Sequence, residues 1–335
     1  MHDESKRKGQ LVAISDGSLT ETDARAMLER IRFPNGVHCI LPDCGGAEVY
    51  RIEVKGSVRK NGKATGIRHL FKCKACRRQF SVTKGTIFED SKIPLRTWIM
   101  VMYRMGSSKK GLSAHQVHRE FGLSYESAWF MCHRIRYAMT DKNPGLLSGI
   151  VEADETYVGG KPRGAKKNRT GEGAISKAVR QAYERKTPVF GIKERGGRVK
   201  AHVMPHVDGS NIIRSMQESV DMDNTRLMTD EHRAYNWIGS LLPHEVIRHK
   251  SEYVRGQVHT QGIESFWAIL KRGLIGTYHH VDAGYLNQYV QEFAFRANTR
   301  TISDSERFTS LLGQVEGRVD WYVGKQAKAS VSEPE

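Results

Sequence analysis

The chain has 335 residues, 39% hydrophobic and 27% charged, which is enough for two or three compact domains, and no apolar run reaches the length of a membrane span. Lys and Arg number 53 against 37 Asp and Glu, a formal net charge of +16; a surface this basic seeks polyanions, and nucleic acid is the usual one. The opening "MHDESKRKGQ" lacks the apolar core of a signal peptide, so the expected location is the cytoplasm.

In chain order, residues 1–32 form a polar segment with one short helix at "TETDARAMLERI". Residues 33–88 read as small strands joined by turns, clearest in "VYRIEVKGSVRK" and "IRHLFKCKACRRQFSV". Residues 89–145 read as helices. "PLRTWIMVMYRM" opens with Pro94 in a first-turn position, and "SAHQVHREF" opens with Ser113 as N-cap and Gln116 three residues on. "YESAWFMCHRIRYAM" follows across a tight "GLS" turn, a helix-turn-helix pattern. Residues 146–318 change character. "GIVEADETYVG", "PVFGIKER" and "GRVKAHVM" read as strands, the last two joined by a Gly196-Gly197 hairpin turn. The helix "GSNIIRSMQESV", the strand "TRLMTD" and a strand at "HEVIRH" come next. Two helices close the series, "HTQGIESFWAILKRG" and "YLNQYVQEFAFRANTR". Residues 319–335, the polar tail, read as disordered.

Three constellations carry chemistry. Cys39-x4-Cys44 and Cys73-x2-Cys76 are two knuckles 29 positions apart, and two short Cys hairpins supply the four soft ligands of one structural Zn2+. Pro42, Gly45 and Gly46 suit the tight turn of the first. Cys132, inside an amphipathic helix, reads as core.

The second constellation is basic. Lys72, Lys74, Arg77 and Arg78 surround the second knuckle, interleaved with Phe71 and Phe80, and read as a phosphate-contacting surface. His133, Arg134 and Arg136 on the second helix of the pair are candidate readers of base edges. Residues 161–200 hold thirteen Lys and Arg against three Glu. Lys161, Arg163, Lys166, Lys167 and Arg169 in "GGKPRGAKKNR" form a segment suited to a DNA backbone.

The third is acidic. Asp154 lies on a first strand, Asp230 ends a later strand and Glu264 sits on a following helix. Their spacings of 76 and 34 residues give the layout of an RNase-H-like metal site, where hard oxygen ligands from separate elements clamp two divalent ions on a phosphodiester. Glu152 shares the strand face of Asp154, and Glu155 takes the opposite face. On the helix, Ile263, Phe266, Trp267, Leu270 and Leu274 form a stripe to be buried, with Glu264 and Lys271 on its flank.

The stretches "CKACRRQFSVTKGTIFEDSKIPLRTW", "VEADETYVGGK", "LMTDEHRAY", "VHTQGIESFWAILKRGLIGTYHHV" and "EFAFRANTR" resemble the DDE insertion-sequence transposases of the ISXO-two-like (IS-fifteen-ninety-five) family, over about residues 30–315. The resemblance implies an α/β RNase-H-like catalytic domain, a mixed sheet flanked by helices, preceded by a zinc ribbon and a helix-turn-helix module. It implies Asp154, Asp230 and Glu264 as ligands of two Mg2+ or Mn2+, and Lys271 as a phosphate contact, with Arg272 beside it. In part of the family an Asn shortly before the Glu is the third ligand; this chain has Gln261 there, which is the alternative to Glu264. Tyr278, His279 and His280 would line the site or pack the loop. The implied partners are the inverted-repeat ends of a mobile element and target DNA, engaged by a homodimer or larger oligomer near the bacterial nucleoid. A DNA-binding regulator without catalysis and another RNase-H-like nuclease are the rival readings.

Overall fold

The computed structural model describes residues 13–56, 67–159, 186–247, 256 and 258–317. These fall into two units. The first holds the chain up to Ser107, Ala114–Ala138 and the segment from Ser303; the second holds Ser108–Ser113 and Met139–Ile302. Among the described residues no helix is long and apolar enough to cross a membrane. The basic segment 161–169 and the tail 319–335 lie outside the described residues.

The first unit begins with α1 (Glu21–Arg32), N-capped by Thr20, whose side chain accepts from the Asp23 amide. Strands β1 (Val49–Val54), β2 (Arg68–Cys73) and β3 (Gln79–Phe80) form an antiparallel sheet in that order. Helices α2 (Leu95–Ser107), α3 (Ala114–Phe121) and α4 (Tyr125–Ala138) follow. The turn between α3 and α4 puts Gly122 at φ 63°, a conformation open to glycine. A helix that the hydrophobic pattern did not disclose, Asp304–Gly313, returns to this unit. It buries Phe308, Leu311 and Leu312. Phe308 meets Tyr103 edge-on at 5.7 Å, and Ile87 N donates to Val315 O at 2.9 Å. The chain from Ser303 therefore packs with the ribbon and helices, and not with the sheet domain to which residues up to 318 were expected to belong.

The second unit is a five-stranded mixed sheet. Its strands are β4 (Leu147–Val158), β5 (Thr187–Glu194), β6 (Val199–Val203), β7 (Val220–Thr229) and β8 (His244–Val246), in the order β6-β5-β4-β7-β8. The first three run antiparallel in sequence; β7 is parallel to β4, and β8 to β7. Strict alternation along β4 sorts its residues. Val151 and Ala153 enter a core with Phe190, Ile192 and the helix α5 (Gly209–Ser219). Glu152 and Asp154 face the opposite side, where helices α6 (Gln261–Gly273) and α7 (Ala283–Asn298) pack on Val189, Val199 and Ala201. All five residues of the expected stripe on α6 are buried. A turn of π-helix, Leu274–Tyr278, extends α6.

Candidate functional site

The cysteine quartet is assembled by two knuckles whose backbones turn through left-handed residues, Asp43 and Gly45 in the first and Arg77 in the second. Cys39 Sγ lies 3.8 Å from Cys76 Sγ, and Cys44 Sγ 3.6 Å from Cys73 Sγ. All four sulfurs fall within 4.8 Å of one another, the only such cluster among the described residues. A Cβ on Gly46 would stand 3.0 Å from Cys73 Sγ, so glycine lets the knuckles close. Arg78 spans both: its Nη2 donates to Pro42 O at 2.7 Å. Its hydrogen bond to Cys76 draws that thiol down to about 6, which favours the thiolate that binds metal. Four soft donors in this arrangement fit Zn2+.

The basic candidates divide. Lys74, Arg77 and Arg78 are exposed and Lys72 half-buried, with Lys74 paired to Glu48 at 2.5 Å. Phe71 and Phe80, expected to interleave with them at a surface, are buried and pack together at 5.4 Å. On α4 the expected base readers turn inward. His133 and Arg136 are fully buried. The reason is spacing: Arg136 falls four residues after Cys132 and eight after Ala128, on the stripe that faces the core. Arg134 donates to the carbonyls of Ile87 and Glu89 at 3.1 and 3.0 Å, closing a loop of its own unit. Burial takes His133 and Arg136 away from any DNA surface, which corrects the assignment of Arg136 to DNA.

The acidic candidates lie around the end of β4. The last parallel pair between β4 and β7 is Glu152 with Met228. Beyond it the chain leaves β7 at Asp230, while β4 runs on to Val158. Asp154 and Asp230 thus each stand two residues past the last pair of two adjacent parallel strands, Asp230 just beyond the end of β7 and Asp154 still within β4. Asp230 Oδ1 accepts from His232 N at 3.0 Å. Asp154 Oδ1 accepts from Glu155 N at 2.8 Å, and its Oδ2 accepts from Trp267 Nε1 at 3.0 Å. Burial, then the charges of Glu155 and Asp230, push the Asp154 carboxyl up to about 7. Carboxylates that crowd in this way oppose one another's ionisation, and a divalent cation relieves the repulsion. These are hard oxygen donors of the kind a divalent ion takes, although among the described residues only the four cysteines bring three or more ligand atoms within 4.8 Å of one another.

Glu264 and Lys271 are exposed, one turn before and one turn after Trp267 on α6. The residue that touches Asp154 thus lies between them. Glu264 Oε1 accepts from Thr260 Oγ1 at 2.6 Å. Gln261 and Arg272 are exposed on the same helix. Tyr278 is not a site residue in this arrangement; its hydroxyl donates to the buried Glu292 at 2.6 Å. His279 and His280 are exposed.

Two features escaped the sequence reading. Glu155 does face away from Asp154, onto Tyr235, whose hydroxyl donates to it at 2.7 Å. It nonetheless raises the Asp154 carboxyl more than any other charge does. His232 Nδ1 lies 3.5 Å from Glu155. The "DE" pair and the Tyr of "LMTDEHRAY" were the available signals. The second is Trp267, read only as core, whose indole also orients an acid.

A sulfur quartet on a small sheet and acidic side chains gathered beside the parallel pair of a mixed sheet are the two features to set beside known proteins. Residues 146–298 match the ISXO2-like transposase domain, and residues 19–79 match the transposase zinc-ribbon domain. A protein described as an uncharacterized protein in transposable element ISH50, from Halobacterium salinarum, is 29% identical over 284 residues, covering 83% of this chain and 91% of that one. Both domains of that transposase family thus match, in order, on one polypeptide.

Proposed function

We propose that the chain is an active DNA transposase. On this reading it binds the inverted-repeat ends of an insertion element, hydrolyses the strand at the element's end and joins the freed 3′-hydroxyl to target DNA. The observation that carries the proposal is Asp154 standing close enough to Asp230 to feel its charge, two residues past the last β4–β7 pair, with Trp267 on the helix of Glu264 and Lys271 donating to it. The strand order β6-β5-β4-β7-β8, with three antiparallel strands followed by two parallel to the first, supports an RNase-H-like catalytic domain.

Asp154, Asp230 and Glu264 would hold two Mg2+ or Mn2+. When bound, such ions lower the pKa of a coordinated water and neutralise charge on the scissile phosphate. The protein's own part is positional. Trp267 and the Glu155 amide fix the two oxygens of Asp154. Lys271, on the exposed side of α6, would hold a phosphate oxygen of the cleaved end. Lys72, Lys74, Arg77 and Arg78 on the ribbon, and the basic segment of Lys161, Arg163, Lys166, Lys167 and Arg169, would track the DNA backbone. Helices α3 and α4 form the proposed helix-turn-helix, with its reading surface on residues other than the buried Arg136. Two element ends must be brought together, so a dimer or larger assembly on DNA is part of the proposal.

The test is an end-labelled duplex carrying the terminal repeat, incubated with purified protein and magnesium. Strand cleavage and joined products are expected, with both lost in Asp154→Asn, Asp230→Asn and Glu264→Gln while end binding persists. Binding without any metal-dependent cleavage by the wild type would leave a DNA-binding regulator. Cleavage without joining would leave a nuclease.

A further inference from the structure

The N-terminus of α6 lacks the usual cap. Thr260 occupies the cap position, yet its side chain makes no capping hydrogen bond; its hydroxyl is turned to Glu264 instead. The amide of Ile263, three residues into the helix, is one of the donors that a helix leaves without an internal partner. It donates to Glu152 Oε2 at 3.0 Å. A carboxylate on β4, 111 residues away in sequence, therefore performs the capping.

Glu152 is only 1% exposed, and its other oxygen is fully engaged. Oε1 accepts from Arg195 Nε at 3.2 Å and from Nη2 at 3.1 Å, and lies 3.4 Å from His259 Nδ1. Arg195 Nη2 also donates to His259 O at 3.2 Å, which ties the chain entering α6 to the same pair. The approach is close enough to dictate sequence: a Cβ at Gly262 would stand 2.6 Å from Glu152 Oε2. One turn further along the helix, a Cβ at Gly191 would stand 2.6 Å from the Trp267 ring. Gly191 is the register partner of Asp154 on β5.

We infer that Glu152, clamped by Arg195, is a positioning residue that sets where Glu264 stands relative to Asp154. It lies two residues before Asp154 on the same strand face, and it grips the residue immediately before Glu264. Strand and helix are thus locked through one buried carboxylate, and the two acids they carry inherit that separation. The inference rests on the reading that Asp154 and Glu264 serve one divalent metal site.

The experiment compares full-length wild type, Glu152→Gln and Asp154→Asn by two measurements. Amide hydrogen exchange without added divalent metal reads the clamp; calorimetric titration with Mn2+ reads the site. In Glu152→Gln, exchange across residues 261–266 should quicken about tenfold or more while β4 and β5 stay protected, and Mn2+ affinity should fall about 10- to 100-fold. Asp154→Asn should lose Mn2+ binding with exchange at 261–266 near normal. Should Glu152→Gln fail to fold, Arg195→Gln carries the same two measurements from the other side of the pair. Unchanged exchange overturns the clamp. Faster exchange with unchanged affinity overturns the positioning role. Absence of Mn2+ binding by the wild type refutes the metal reading itself, and the positioning role with it, whatever the exchange data show.

Discussion

Asp154 is buried beside Glu155 and Asp230, and its carboxyl is raised from its ordinary value to about 7. The folded protein therefore holds this proton more tightly than the unfolded chain does. The sign follows: no cost is incurred below about pH 4, where both states are protonated, and stability is lost as pH rises from there through 7. At about 1.4 kcal/mol per unit, the cost in metal-free protein is on the order of 4 kcal/mol above pH 7. Magnesium should offset it where the carboxylates are ionised. Melting curves at pH 5 and pH 8 should thus show a larger magnesium-induced rise at pH 8. An equal rise at both would remove the acids as the seat of the metal. Lys271→Ala should differ in kind from the acid variants, because it removes a phosphate contact and no ligand. Mn2+ binding should survive, while affinity for the cleaved end weakens by about 1–3 kcal/mol. Gln261→Ala should be mild if Glu264 is the third ligand; severe loss of cleavage would transfer the role to Gln261.

At the scale of elements, the ribbon holds together through its sulfurs more than its core. Its three short strands bury only Phe71, Cys73 and Phe80, a small apolar set for a sheet. Metal binding energy would supply much of the folding energy. Cys73→Ser should release zinc and loosen β1–β3. The mixed sheet, with separate cores on its two faces, should keep its structure. Elemental analysis of purified protein, expected near one zinc per chain, and circular dichroism of the variant check this. A normally folded protein without zinc would refute it. Most elements were legible because their signals are local. The 3.6-residue stripe on α6, the alternation on β4 and the Gly196 turn need no distant partner to be read. Asp304–Gly313 was missed because its apolar residues, Phe308, Leu311 and Leu312, are few and acquire meaning only against α2.

Across the whole molecule the formal charge of +16 governs how DNA is met. Binding through many Lys and Arg contacts releases counterions. Affinity should accordingly fall about 10³-fold or more between about 50 and 200 mM salt. Neutralising Lys166, Lys167 and Arg169 together should flatten the log–log salt slope by about 2–3. An unaltered slope in a filter-binding or anisotropy titration would mean that this segment does not touch phosphate.

What the sequence determined by itself was the content of short, ordered motifs. The two cysteine knuckles, the three acids on their expected elements and the excess of positive charge are all properties of residue type and spacing. Only the tertiary structure decided which polar residues work outward and which inward. Arg136 carries a full charge yet lies in the core of the first unit. Glu152 looked like a neighbour of Asp154 and turned out to cap a helix from 111 residues away. Trp267 looked like filling and donates to Asp154. The reason is the same in each case. Periodicity reports which side of an element faces the interior, but the hydrogen-bond partners of a buried polar group are fixed by the element packed against it.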